Sequence, residues 1–163
     1  MDAIDTGVLI WGVKQQSAKD RPDMVSRSIA LLASLKRKHS VIMVPSIVAA
    51  EYLIDFPLDR QEAQIQVLGR NFFIAPFDAK AAAIAAEIYS KKIMQQAQCD
   101  TNLGRQCLKA DLKIIATAIA HGAAHIYTND RHFNSIASGR IIVEDIPSLP
   151  AISPIQRDLG LRQ

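Results

Sequence analysis

Short apolar runs alternate along this chain with longer stretches in which apolar positions recur every three or four residues. The runs predict strands at Ala3 to Thr6, at Val41-Ile42-Met43-Val44 before Pro45, and at Phe72 to Phe77. Two more follow, at His125-Ile126-Tyr127-Thr128 and Arg140-Ile141-Ile142-Val143. The helical spacing predicts a helix over MVSRSIALLASLKRK, capped by Asp23 and ending in Lys36-Arg37-Lys38, which suit a helix C-terminus. Further helices are expected over IVAAEYLI after a Ser46 cap, over Asp59 to Gly69, and from an Asp78 cap to Lys91-Lys92. Another is expected over KADLKIIATAIAHG, with Gly122 as its stop. Gly12 to Asp23 and QQAQCDTNLGRQCL are polar, and NDRHF reads as a turn that can cap RHFNSIA. Strands alternating with helices predict an α/β protein: a three-layer α/β/α sandwich around a parallel sheet of about four or five strands.

Length and composition narrow this little further. The 163 residues suit one domain, drawn over residues 1–147, followed by a loosely held tail at 148–163 containing Pro150 and Pro154. A hydrophobic share of 49% and a charged share of 21% are those of a folded globule. No run is long enough to span a membrane, and no basic-then-apolar leader is visible, so a cytoplasmic protein is expected. The two cysteines, Cys99 and Cys107, lack a neighbouring histidine and suggest neither zinc nor a disulfide framework. A net charge of +3 and a pI near 9.0 are compatible with a polyanionic partner.

Four acids fall where ligands of a parallel sheet bind, beyond strand C-termini and at the helix ends beside them. Asp5 ends the first strand, in IDTGVLI. Asp-Thr-Gly also occurs in aspartic proteases, but those are all-β proteins and this chain is too helical. Glu51 shares a helix face with Ile47, Val48 and Ile54, where a carboxylate is costly unless paired, protonated or bound to a metal. Asp111 sits in the first turn of its helix and heads the apolar face of Ile114, Ile115 and Ala118. Asp130 follows a strand in the turn Thr-Asn-Asp. Singly, each has an ordinary explanation: turn acid, buried ion pair, helix-dipole acid, cap. Together they form a set of oxygen donors that suits Mg²⁺ or Mn²⁺ and could support phosphoryl chemistry.

The stretches IDTGVLIW, VPSIVAAEYL, KADLKIIATAIAHGA and IYTNDRHF, in this order, resemble the PIN-domain ribonucleases, particularly the VapC-like toxins of type II toxin–antitoxin pairs. The resemblance spans Asp5 to Phe133. It implies an Mg²⁺- or Mn²⁺-dependent endoribonuclease whose acidic quartet is Asp5, Glu51, Asp111 and Asp130. Thr6 and Thr128 match supporting hydroxyls, and Asn129 a neighbouring polar position. It also implies an RNA substrate, an antitoxin partner and a homodimer. Gly7 departs from the family, where Ser or Asn commonly follows Asp-Thr, and the segment from Gly12 to Asp23 is long for the first loop. Arg105, Lys109 and Lys113 around Asp111, and Arg131 and His132 after Asp130, are candidate phosphate clamps for RNA, although each taken singly reads as part of a solvated, mildly basic surface. The rival readings are a non-catalytic PIN-like module that binds RNA or protein, and a nuclease of RNA processing that is not a toxin.

Overall fold

The computed structural model describes residues 1–16, 21–95 and 102–149, with side chains described over 1–16, 21–91 and 109–149. In chain order the elements begin with β1 (Asp2–Ile4), α1 (Thr6–Gly12), α2 (Met24–Arg37) and β2 (Ile42–Pro45). Next come α3 (Ser46–Ile54), α4 (Leu58–Asn71), β3 (Phe73–Ala75) and α5 (Ala79–Gln95). The series closes with α6 (Asn102–Ala120), β4 (His125–Thr128), α7 (His132–Ala137) and β5 (Ile142–Asp145). All five strands are parallel, in the order β3-β2-β1-β4-β5. This is the expected α/β class, with its helices flanking the sheet.

Burial explains which sequences became which strands. The inner strands β1 and β2 are buried at every position, Asp2 included, and β2 reads as an unbroken apolar run. The edge strand β5, Ile-Val-Glu-Asp, is mostly exposed and carries charge, which discourages edge-to-edge pairing. The core between sheet and helices includes Ile4, Val8, Leu9, Met43, Val48, Ile114, Ile115, Ile126 and Phe133. No helix among the described residues is long and apolar enough to cross a membrane.

The strand order positions the site. From β1 the chain proceeds to β2 on one side, and from β4 to β5 on the other. Neighbouring strands whose connections diverge leave a crevice at their C-terminal ends. Asp5 follows β1 and Asp130 follows β4, and the Asp5 amide donates to the Tyr127 carbonyl at 3.0 Å.

Four local expectations need correction. The first strand, expected over Ala3 to Thr6, ends at Ile4, because Thr6–Gly12 forms α1, whose Val8 and Leu9 are fully buried. Ser46 begins α3 rather than capping it: Pro45 holds the cap position, and Ser46 Oγ accepts from the Phe77 amide. Asp23 holds the cap position of α2 without a side-chain hydrogen bond to the helix backbone. The helix carrying Asp111 starts at Asn102, so Asp111 lies in its third turn, away from the dipole end that would favour a carboxylate. Asp78 does cap its helix, accepting from the Ala81 amide at 2.8 Å. Gly122, at φ +76°, ends α6 as the left-handed conformation requires.

Candidate functional site

Asp5 caps α1. Its Oδ1 accepts from the Thr6 amide at 2.7 Å, and its Oδ2 accepts from Thr128 Oγ1 at 2.9 Å. Thr128 Oγ1 also accepts from the Asp130 amide at 3.0 Å, so one buried hydroxyl joins the ends of β1 and β4. Asp130 Oδ1 accepts from the His132 amide at 2.8 Å, which holds the turn into α7. On the other side, Thr6 Oγ1 donates to Glu51 Oε2. The two threonines thus each hold one carboxylate. Of the face expected to carry Glu51, Val48 is buried and Ile47 packs against the core, and only Ile54 departs from it. Val48, Ala49 and Tyr52 form the buried stripe of α3, while Ile54 is 75% exposed.

Asp111 completes the set from the middle of α6. Its pKa is pushed up to about 6, first by burial and then by repulsion from Asp130, Asp5 and Glu51, with His132 acting in the opposite sense. Asp5 is likewise pushed up to about 6. Burial is the larger cause and the charges of Glu51 and Asp130 add to it, against the hydrogen bonds from Thr128 and Thr6. Asp5 and Asp111 therefore both feel the charges of Glu51 and Asp130. Among the described residues none of them is in an ion pair with Lys or Arg. As placed, no three of these groups stand closely enough to enclose an ion. Uncompensated carboxylates repel, and Thr6 donates to both Asp5 and Glu51, from its amide and its hydroxyl.

The remaining predicted residues divide. Asn129, Arg131 and His132 line a groove of about 600 Å³ beside Asp130. Lys109 and Lys113 line a different cleft, of about 190 Å³, with Phe77 and Tyr89 between α5 and α6. They stand two residues before and after Asp111, and on a helix that spacing faces nearly the opposite way. The Arg105 side chain lies outside the described residues. Two arginines not singled out from the sequence, Arg21 and Arg27, also line the groove beside Asp130. Only the tertiary fold brings them there, and no local pattern marks them.

Residues 3–139 match the PIN domain family. A search of curated proteins finds no match. Solved structures similar to this chain include VapBC2 from Rickettsia felis bound to a DNA fragment from its promoter. That likeness has 20% identity over 90% of this chain and 98% of the other, with a TM-score of 0.63. DNA-bound VapBC from Salmonella typhimurium is similar at 18% identity, over 90% and 98% of the two chains, with a TM-score of 0.60. At these identities the likeness is one of fold.

Proposed function

This chain belongs to the PIN-domain family, and from that premise we propose that it is a metal-dependent endoribonuclease, the cytoplasmic toxin of a toxin–antitoxin pair. Residues 1–147 would be its working domain, and a homodimer bound by an antitoxin its resting form. What supports the reading is that Asp5 and Asp111 both feel the charges of Glu51 and Asp130 near the C-terminal ends of β1 and β4, with no Lys or Arg in an ion pair with any of the four among the described residues. The likeness in fold to VapBC chains supports the toxin assignment.

The donor chemistry fits a hard divalent cation: oxygen ligands only, concentrated negative charge, and two carboxyls whose ionisation is held back by burial and by their acidic neighbours. Asp5, Asp111 and Asp130 would hold Mg²⁺ or Mn²⁺, with Glu51 completing the set. When bound, such an ion eases deprotonation of water and offsets charge developing on the phosphate. The residues do the rest. Thr6 occupies Glu51 Oε2, leaving Oε1 to take the proton of the attacking water. Thr128 fixes Asp5 against the Asp130 backbone, so the two strand ends keep one spacing. Water adds to phosphorus as the P–O3′ bond breaks, and the departing O3′ takes a proton from solvent water, yielding a 5′-phosphate and a 3′-hydroxyl.

The test is cleavage of single-stranded RNA by the purified chain in Mn²⁺, against EDTA and the variants Asp5→Asn, Glu51→Gln, Asp111→Asn and Asp130→Asn. Each variant is expected to lose roughly 10²-fold or more in rate while still folding. An Asp5→Asn protein that cleaves at the wild-type rate defeats the assignment.

A further inference from the structure

The groove beside Asp130 runs between the approach to α2 and the turn from β4 into α7. Met24 is the one apolar residue of its lining, and Met24 is itself 2% exposed. Three arginines reach the groove, and their hydrogen bonds set them apart. Arg27 is committed to the fold: Nε donates to the Pro147 carbonyl at 3.1 Å, Nη1 to Asp23 Oδ2 at 3.1 Å, and Nη2 to the Ile146 carbonyl. It pins the segment after β5 and neutralises Asp23. Arg21 and Arg131 are exposed, and neither is in an ion pair among the described residues.

A polyanion that must reach four carboxylates is repelled by them and needs cations along its path. A guanidinium suits that task because its planar fork matches a phosphate. The groove begins at Asp130 and carries two uncommitted guanidiniums, and of its other two acids Asp23 is paired with Arg27 while Asp145 stands at the end of β5. A protein partner would need apolar anchor pockets, and this lining offers none. We propose that the groove is a phosphate track for single-stranded RNA, in which Arg21 and Arg131 hold phosphates flanking the scissile one. This rests on the nuclease reading and extends it to a residue, Arg21, contributed by the long first loop. Both arginines are positioning residues, acting on the strand rather than on the reacting atoms.

The experiment measures fluorescence anisotropy of a short labelled single-stranded RNA on the full chain carrying Asp5→Asn, across a salt series. Arg21→Gln and Arg131→Gln are each expected to weaken binding roughly tenfold and to reduce the slope of log K against log salt by about 0.7, the value of one lost phosphate contact. Arg21→Lys should restore the slope, which a merely structural role for Arg21 would not predict. Unchanged affinity and slope in both Gln variants, with melting curves matching the parent, overturn the proposal. So does a loss confined to binding of a polyglutamate peptide, which would make the groove a protein site. Cleavage assays separate the two ideas. If the wild-type chain cuts RNA and the Gln variants bind it like the parent, the track fails and the nuclease reading stands. If the slope falls but Mn²⁺ supports no cleavage, the track stands and the nuclease reading fails.

Discussion

Gly7 has no room for a side chain. A Cβ there would lie 2.9 Å from Cζ3 and 3.2 Å from Cη2 of Trp11, whose ring folds back one helical turn over it. This accounts for the departure from PIN domains that carry Ser or Asn at this point: the indole occupies the space that side chain would use. Gly7→Ser should therefore lower stability by about 1 kcal/mol, although serine is a better helix former than glycine by about 0.5 kcal/mol. In a Trp11→Leu background most of that loss should vanish, giving a coupling measurable by urea denaturation of the four proteins. Equal losses in both backgrounds would mean that the ring is not the cause. The departure itself is plain in the sequence. Its cause is not, because a contact between residues 7 and 11 exists only once α1 is a helix, and IDTGVLIW is apolar enough to pass for a strand.

Among the elements, α1 and α2 pack at close range through Gly12, where a Cβ would meet Leu32 Cδ1 at 2.7 Å and Ser28 Cβ at 3.3 Å. Ser28 is fully buried there, and its Oγ is the one buried side-chain polar atom without a hydrogen bond among the described residues. A hydroxyl stripped of water and given no partner is a net cost. Ser28→Ala is expected to raise stability by about 0.5–1 kcal/mol and Gly12→Ala to lower it by about 1–3 kcal/mol, both read by thermal melting. A Ser28→Ala protein less stable than the parent by about 1 kcal/mol or more would show that the hydroxyl does have a partner. Legibility at this scale follows from burial. The strand β2 announces itself as an apolar run because both of its faces are covered, while β4 alternates between buried and half-buried positions, and Asp5 and Asp130 follow the ends of β1 and β4. The start of α6 does not announce itself, since Asn102 to Leu108 is polar and lacks helical periodicity. Placing that start at Lys109 puts Asp111 at a helix end and suggests that Lys109 and Lys113 surround it. The longer helix moves Asp111 away from the helix end, and the lysines, two residues to either side of it, line the cleft with Phe77 and Tyr89.

For the whole molecule, the acids at the C-terminal edge of the sheet and Asp2 at its other edge shift in opposite directions, and that sets the shape of stability against pH. Asp5 and Asp111 titrate near 6 when folded and near 3.8 when unfolded. Above about pH 6 both are ionised and the penalty for burying and crowding them is complete. As pH falls from 6 toward 3.8 the folded chain takes up protons that the unfolded chain does not, so stability rises. Asp2 behaves oppositely. Hydrogen bonds from Ser40 and His125 more than offset its burial and lower its pKa, so its contribution holds above 3.8 and is lost on further acidification. In EDTA, stability should therefore peak between about pH 4 and 6, well below the pI of 9.0. At pH 7.5 in EDTA, Asp5→Asn should be more stable than the wild type by about 1–2 kcal/mol, a fraction of the shift's full value. Mn²⁺ should raise the melting temperature at that pH, because binding to the folded state alone stabilises it by mass action and replaces repulsion with attraction. The double variant Asp5→Asn/Asp111→Asn should lose both the rise between pH 7 and 5 and the response to Mn²⁺. A melting temperature flat from pH 5 to 8 in EDTA would mean that these acids do not crowd one another. If Mn²⁺ also had no effect, the crevice between β1 and β4 would have no charge for a cation to satisfy.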